Sequence, residues 1–192
     1  MTRRSTPRKR KTTVSGPASP DVAAMIRVDQ AGEYGAVRIY SGQLAVLRDT
    51  PAGEPLQHML QQEEAHLATF NTMVADRHVR PTVLQPLWHV AGYALGVATA
   101  ALGPKAAMAC TVAVEDVIDR HYHDQQDHIA SDEALARTEK PLAKRIAQFR
   151  AEELEHRDTA LAAGAAETPG YRALSGAIRA ATRLAIRLST RI

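Results

Sequence analysis

Two segments of this 192-residue chain interrupt an apolar helical stripe with the same pair of polar residues, a glutamate followed three positions later by a histidine. The pairs are Glu63 with His66 and Glu153 with His156, and the residues around them are apolar at spacings of three and four. This spacing places them on the helix face that is normally buried. Burying a lone carboxylate is unfavourable, so each glutamate needs a partner such as a metal ion.

Two further helical stripes each carry a single glutamate near the middle, Glu33 in one and Glu115 in the other. A tyrosine follows each of these glutamates by seven positions, at Tyr40 and Tyr122. Along the chain, a helix with one glutamate is followed by a helix with Glu-x-x-His, and the same two helices then occur again. This order indicates an internal duplication of a helix pair.

Four glutamates and two histidines that face one bundle core form the ligand set of a dinuclear carboxylate site. Carboxylates balance the charge of two divalent irons, and the imidazoles supply nitrogen donors while coordination positions stay open for O2. Either Glu-x-x-His pair alone is weak evidence, since most glutamates are solvated surface charges. The shared order and phase of all six residues favour a metal site. The predicted metal ligands are Glu33, Glu63, His66, Glu115, Glu153 and His156.

In the second copy, two glutamates compete for the inward position, because Glu152 lies four residues before His156 and Glu153 lies three. Either spacing shares a helix face with the histidine. The first copy has a glutamine, Gln62, at the first of these two positions and a glutamate at the second. Glu153 is therefore the predicted ligand, and Glu152 and Glu155 are expected on wetter flanking faces.

Hydrogen-bond acceptors for the ligand histidines are also expected near the site. Asp29 and Asp119, each four residues from one of the single glutamates, are candidates for this role. The other histidines lie off the stripes or outside the predicted bundle and are expected to be surface or structural residues. They are His58, His78, His89, His123 and His128.

The composition favours helices, since alanine is abundant and only 4% of the residues are aromatic. We predict an all-α four-helix bundle with an additional apolar helix between its second and third core helices and an amphipathic helix at the C-terminus. Asp21 is expected to cap the first helix, and Ser131 the connector before the fourth. The core helices are predicted at about 21–47, 56–77, 104–129 and 140–163, and the additional helices at 82–103 and 171–189.

Charge is distributed unevenly along the chain. Residues 1–20 contain six basic residues and no acidic one, whereas the remaining residues carry 18 basic and 21 acidic side chains. We therefore expect a disordered basic tail over 1–20 and one folded domain over 21–192. The basic charge belongs largely to the tail, so a nucleic-acid partner is not expected.

The uncharged segment 84–103 is long enough to be considered a transmembrane helix. A single span would put the first two ligand helices and the last two on opposite sides of the membrane, where the six ligands could not meet. A helix lying in the membrane interface or packed on the bundle is expected instead, the alternative being an ordinary buried connector. In the last helix, a basic row suits an anionic membrane surface, although a solvated face explains it nearly as well. The row is Arg179, Arg183, Arg187 and Arg191.

Several segments of the chain resemble the demethoxyubiquinone hydroxylases of ubiquinone biosynthesis. Among them are "RVDQAGEYGAVRIYSGQ", "QQEEAHL", "AMACTVAVEDVIDRHY" and "FRAEELEHRD", and the resemblance extends from about Ile26 to Ile192. It implies a ferritin-like bundle that binds two iron ions and uses O2 to hydroxylate the ring of a polyprenylated demethoxy-benzoquinol. The family's ligands fall on the same six residues that the stripes select.

The resemblance also implies a role in electron or proton delivery for the histidine-tyrosine pair of "RHY", here His121 and Tyr122. Tyr122 shares the stripe of Glu115, whereas His121 lies about 100° around the helix. Reducing equivalents are expected ultimately from NADH. The substrate is expected to be 2-polyprenyl-3-methyl-6-methoxy-1,4-benzoquinol, which would become 3-demethylubiquinol.

The implied location is the membrane periphery, on the cytoplasmic face of a bacterial inner membrane or, in a eukaryote, on the matrix face of the mitochondrial inner membrane. Accessory ubiquinone-biosynthesis proteins and a homo-oligomer are compatible with this location. Two alternatives stay open. A ferritin-like protein for iron oxidation and storage, or for peroxide removal, would use the same ligands, and a metal-free helical adaptor would use none.

Overall fold

The computed structural model describes residues 16–192, so most of the predicted basic tail lies outside the described residues. Within that range the chain forms seven α-helices, one short 3-10 helix and no strand. Helices α1, α2, α4 and α6 form a bundle that confirms the predicted ferritin-like, all-α fold with additional helices. The helices are α1 (Pro20–Leu47), α2 (Gly53–Asp76), α3 (Gln85–Ala101), α4 (Pro104–Ser131), α5 (Glu133–Thr138), α6 (Lys140–Ala162) and α7 (Tyr171–Arg191), and the 3-10 helix is Ala165–Glu167.

Two of the predicted helix caps were wrong. The cap of α1 is Ser19, whose hydroxyl accepts a hydrogen bond from the backbone N–H of Val22, and Asp21 lies in the first turn. The proline at position 20 is favoured as the first helical residue because its fixed φ suits the helix and it has no N–H to satisfy. Ser131 belongs to α4, and Asp132 caps the short helix α5. A hydroxyl or carboxylate directly before the first turn satisfies the free backbone donors there.

Three apolar clusters form the core of the described residues, two of them at the two ends of the bundle and a third, around Val114 and Ile178, between α4 and α7. One end cluster contains Tyr40, Leu44, Leu56, Met59 and Met108. The other end cluster contains Val22, Ile26, Phe70, Ile129, Leu142, Ile146 and Phe149. Each fully buried apolar side chain contributes about 1.5–3 kcal/mol. The predicted ligands lie along the helices between the two end clusters, where apolar packing on both sides excludes water from them.

The additional helix α3 packs tightly on α1 through glycines of both helices. A Cβ atom on Gly42 would overlap the carbonyl oxygen of Tyr93, and one on Gly96 would overlap the carbonyl oxygen of Ile39. The outward face of α3 keeps apolar side chains exposed, with Val90 66% and Leu87 52% accessible. Helix α3 is therefore packed on the bundle on one face and apolar on the other.

Helix α7 closes the same side of the molecule, packing on α4 and on α1. The indole N–H of Trp88 in α3 donates to the hydroxyl of Ser189 in α7 at 3.0 Å, which joins the two additional helices. Across residues 16–192, none of the helices combines the length and apolar character that a membrane crossing needs.

Candidate metal centre

All six predicted ligands meet in the middle of the bundle, and each is at most 3% exposed. Helices α1 and α4 each supply one glutamate, while α2 and α6 each supply a Glu-x-x-His pair. The side chains converge because each sits at the same phase of its apolar stripe, so packing the stripes together also brings the polar atoms together. They are Glu33, Glu63, His66, Glu115, Glu153 and His156.

The six residues divide into two overlapping groups whose possible ligand atoms lie within 4.8 Å of one another. Glu63 and Glu153 belong to both groups, as bridging carboxylates would. We call the group completed by Glu33 and His66 the first metal position, and the group completed by Glu115 and His156 the second metal position. The cluster thus has the shape of a site for two ions with shared and terminal carboxylates.

Both imidazole rings direct Nδ1 inward, towards the carboxylates. Nδ1 of His66 lies 3.1 Å from Oε1 of Glu153 and 3.4 Å from Oε2 of Glu33. Nδ1 of His156 lies 3.1 Å from Oε2 of Glu153 and 3.2 Å from Oε1 of Glu63. Glu153 therefore faces both histidines, one with each oxygen.

Many buried polar atoms of the cluster have no hydrogen-bond partner among the described residues. They are Oε2 of Glu33, both carboxylate oxygens of Glu63 and of Glu153, and Nδ1 of His66 and of His156. Leaving such atoms unpaired is unfavourable by roughly 1–3 kcal/mol each. All of them point into the two metal positions, and divalent ions would satisfy them. Oxygen and imidazole donors in this ratio fit a di-iron site.

Burial and mutual interactions shift the pKa values of several residues in the cluster. Burial, together with the charge of Glu153, raises the pKa of Glu63 and of Glu115 well above the ordinary value. Burial would lower the pKa of His66, but interactions with Glu153 and Glu33 outweigh it and raise that pKa to about 11. Burial would raise the pKa of Glu153, yet contacts with both histidines lower it to about 2. The metal-free cluster therefore holds protons that metal ions would displace.

Metal binding is accordingly expected to release protons and to strengthen as the pH rises. The sign follows from the raised pKa values of Glu63, Glu115 and His66, since a divalent ion needs the deprotonated ligands. Calorimetric titration with a divalent ion in two buffers of different ionisation enthalpy measures the protons released. Heats that do not depend on the buffer would contradict this expectation.

The stability of the metal-free protein provides a second measurement of the same protons. Groups with a raised pKa stabilise the fold below their ordinary values, 4.5 for glutamate and 6.5 for histidine, and lose that contribution as the pH rises. Glu153 acts in the opposite direction only below 4.5. The free energy of unfolding should therefore fall as the pH rises above about 4.5, with the contribution of His66 lost between 6.5 and about 11, and bound metal should remove this dependence.

The outer nitrogens of the two histidines have different partners from those expected. Nε2 of His66 donates to Oε2 of Glu152 at 2.5 Å, and Nε2 of His156 donates to Oε1 of Gln62 at 2.9 Å. Glu152 does lie on a wetter face than Glu153, with side-chain exposures of 27% and 2%, but it is not the bystander that was expected because it binds His66. Glu155 is exposed as expected. Each acceptor precedes its own histidine by four residues and binds the histidine of the other copy.

The two aspartates suggested as histidine acceptors were also wrong. Asp29 accepts from His121 at 3.1 Å and from Gln125 at 2.8 Å, and Asp119 accepts from Arg150 at 2.7 Å. Both lie one turn from a ligand glutamate along α1 or α4, but the ligand histidines are on α2 and α6. Both true acceptors occupy the position four residues before a histidine, but each binds the histidine of the other helix.

Tyr40 and Tyr122 likewise each bind a glutamate of the other helix pair. The hydroxyl of Tyr40 donates to Oε1 of Glu115 at 2.9 Å, and the hydroxyl of Tyr122 donates to Oε1 of Glu33. Tyr122 thus contacts a predicted ligand directly. His121 has an 18% exposed side chain and reaches Asp29, with no contact to a predicted ligand. The histidines expected at the surface are all exposed: His58, His78, His89, His123 and His128.

An apolar cavity of about 160 Å³ lies between α1, α3, α4 and α7. A narrower pocket of about 20 Å³ is lined by the carboxylates of Glu33, Glu63, Glu115 and Glu153 and shares wall residues with the cavity. The walls that both spaces share are formed by small or aliphatic residues, namely Val28, Gly32, Ala36, Ile118 and Ile186. The metal positions therefore lie next to the apolar cavity.

A helical bundle that surrounds four buried glutamates and two histidines, with two of the glutamates in Glu-x-x-His motifs, defines the ferritin-like dinuclear carboxylate proteins. Within this class, the family model described as ubiquinone biosynthesis protein COQ7 matches residues 20–189. The chain belongs to this family, which confirms the resemblance to the demethoxyubiquinone hydroxylases.

Curated relatives support the same assignment. The chain is 58% identical over 182 residues to a 3-demethoxyubiquinol 3-hydroxylase of Rhodospirillum rubrum, covering 92% of this chain and 82% of the relative. It is 51% identical over 170 residues to a rat protein named NADPH-dependent 3-demethoxyubiquinone 3-hydroxylase, mitochondrial, covering 88% and 77%. It is 43% identical over 179 residues to the 5-demethoxyubiquinone hydroxylase, mitochondrial, of Saccharomyces cerevisiae, again covering 88% and 77%.

Proposed function

We propose that this protein is a di-iron monooxygenase of ubiquinone biosynthesis, which uses O2 to hydroxylate the ring of a polyprenylated demethoxy-benzoquinol. The observation that carries the proposal is the narrow pocket lined by the buried carboxylates, which shares wall residues with an apolar cavity. A ring placed in the pocket would lie against the metal positions while its apolar tail occupied the cavity. The names of the relatives supply the substrate class, a demethoxyubiquinol or its quinone.

Two iron ions would be held by Glu33 and His66 in the first position and by Glu115 and His156 in the second, with Glu63 and Glu153 shared. When bound, the irons supply the activation of O2 and the transfer of one oxygen atom to the ring. The protein supplies orientation. Tyr122 and Tyr40 each donate a hydrogen bond to one oxygen of a terminal carboxylate, which would leave the other oxygen free to bind an ion.

The prenyl chain would enter between α3 and α7. Ala91 and Ala181 line the cavity and are themselves exposed, so they mark its opening. Exposed apolar residues flank this opening, with Leu87 52% accessible on α3 and Leu184 56% accessible on α7. A lipid-soluble substrate would pass from a membrane into the cavity without crossing water.

The same surface suits attachment to the periphery of a membrane. The exposed face of α7 presents Arg183, Arg187 and Arg191 beside its apolar residues, a combination that favours anionic lipid. The eukaryotic relatives are named mitochondrial. We propose the cytoplasmic face of a bacterial inner membrane, or the matrix face of the mitochondrial one, as the working location. Accessory proteins and a homo-oligomer stay predictions.

His121 would connect the pocket with the solvent. Its imidazole lies in the wall of the narrow pocket and also in the wall of an open polar groove between α4 and α7. It is held by Asp29, which faces the same pocket. We assign His121 and Tyr122 to proton or electron delivery. The electrons would come from a reduced nicotinamide nucleotide, NADH in our expectation, whereas mammalian relatives are named NADPH-dependent.

Iron-loaded protein supplied with the demethoxy-quinol, a reductant and ¹⁸O₂ should form a hydroxylated ring that carries one labelled oxygen atom. The label should come from O2 because the reaction is a monooxygenation, and mass spectrometry of the extracted quinone measures it. Consumption of O2 without ring hydroxylation would contradict the proposal and favour iron oxidation or peroxide removal. The apolar cavity has no role in either of those activities.

A further inference from the structure

The hydrogen bonds that the two ligand histidines donate outward differ between the two metal positions. Both histidines donate Nε2–H outward, but His66 donates to the carboxylate of Glu152, while His156 donates to the side-chain amide of Gln62. The two acceptors occupy equivalent places in the duplicated helix pair, four residues before the histidine of their own helix. The fold therefore repeats the contact, but its chemistry changes from an anionic acceptor to a neutral one.

Two other contacts are matched between the positions. A tyrosine hydroxyl donates to one oxygen of the terminal glutamate in each position, Tyr122 to Glu33 and Tyr40 to Glu115. Nδ1 of each histidine lies 3.1 Å from an oxygen of the shared Glu153. Among these hydrogen bonds, the two positions therefore differ in the acceptor of the histidine Nε2–H group.

Glu152 is held firmly in its role. Its second oxygen accepts a hydrogen bond from the amide of Gln148 at 2.9 Å, and Arg145 in turn donates to Gln148 at 2.9 Å. The ring of His66 is also stacked on Phe149, with centroids 3.9 Å apart. Since Phe149 fixes the plane of the ring, a change of acceptor should alter the donor strength of the imidazole more than its position.

We infer that Glu152 makes the two metal positions unequal, so that the first position binds a divalent ion more tightly than the second. An ionised acceptor on Nε2–H makes the imidazole a stronger donor through Nδ1, and it adds negative charge near the ion. A neutral amide acceptor strengthens the imidazole donor less and adds no charge. Outer partners of this kind change metal affinity by about 10- to 100-fold. Glu152 is a positioning residue, and the inference rests on the proposed metal site.

The test isolates each position with a matched pair of variants. Glu115→Ala removes a ligand of the second position only, and Glu33→Ala removes a ligand of the first position only. Each protein is titrated anaerobically with Co²⁺, and the binding constant is measured by calorimetry and by the visible absorption of the bound ion. We expect Glu115→Ala, which keeps the first position, to bind Co²⁺ about tenfold more tightly than Glu33→Ala.

The second step adds the acceptor changes to these backgrounds. Glu152→Gln should weaken Co²⁺ binding about tenfold in Glu115→Ala and leave it unchanged in Glu33→Ala. Gln62→Glu should strengthen binding in Glu33→Ala. Equal affinities of the two backgrounds, or an equal effect of Glu152→Gln in both, would overturn the inference. Helical circular dichroism and the unfolding midpoint establish that each variant is folded.

If a ligand variant fails to fold, the full ligand set gives the same answer. The wild-type chain should bind its first Co²⁺ ion at the first position. Glu152→Gln should weaken this tighter step about tenfold, because His66 then has an amide acceptor, and the double variant Glu152→Gln with Gln62→Glu should restore its affinity. A first step of unchanged affinity in the single variant would refute the inference. Co²⁺ affinity is independent of turnover, so a failure of the proposed hydroxylation would leave this result readable.

Discussion

Replacing Glu153 with glutamine is expected to abolish the binding of paired iron ions and to reduce hydroxylation by at least about a thousandfold. Glu153 belongs to both metal positions and faces both histidines, with one oxygen 3.1 Å from each Nδ1. A neutral amide keeps the shape of the side chain but removes the charge that two ions share. Both positions should weaken together, unlike the result of losing a terminal ligand.

Iron content after anaerobic loading, together with turnover of the quinol, measures the effect. Glu155→Gln is the matched control, since it makes the same chemical change two residues away on the exposed side of α6. That control should bind two irons and retain activity. Retention of two irons in the Glu153 variant would show that the carboxylate is not a shared ligand. It would also reopen the choice between Glu152 and Glu153.

Much of the site could be predicted because each ligand occupies a position on the apolar stripe of its own helix. Glu33 and Glu115 lie on apolar stripes, and burial of a stripe buries every residue on it. The duplication then resolved the ambiguity within "EELEH", since the first copy has Gln62 where the second has Glu152. The positions of the six side chains followed from periodicity along single helices.

The partners across helices could not be predicted, because they depend on the register between helices. Glu152 shares a helix with His156 but binds His66, and Gln62 binds His156. Nothing in the spacing along one helix states how far that helix slides against its neighbour. Asp29 and Asp119 were chosen by spacing alone and proved to bind other residues.

The cavity was similarly hidden from the sequence. The apolar, glycine-containing character of segment 84–103 predicted a helix at an interface or on the bundle. Its close packing on α1 depends on Gly42 and Gly96, which lie on opposite helices and are more than fifty residues apart. The close approach of these two glycines fixes how α3 lies on α1, and so it also determines the cavity beside α3.

Replacing Gly32 with leucine is expected to reduce kcat/KM for the prenylated quinol by about a hundredfold or more while leaving metal binding intact. Gly32 lines both the apolar cavity and the narrow pocket that the carboxylates line. A Cβ atom there would have Ile118 Cδ1 as its nearest neighbour, at 3.9 Å, so a side chain would extend into open space. Leucine would fill the passage through which the ring reaches the metal positions.

Gly32→Ala at the same position separates the blocked passage from damage to the fold. Its methyl group fits beside Ile118, and replacing glycine by alanine inside a helix stabilises it by about 1 kcal/mol. The alanine variant should therefore unfold at a higher temperature than wild type and lose much less activity than the leucine variant. Iron content should be the same in all three proteins, because Gly32 is not a ligand. If the leucine variant turned over the quinol at the wild-type rate, the substrate would have to reach the carboxylates by a path that avoids the cavity between α3 and α7.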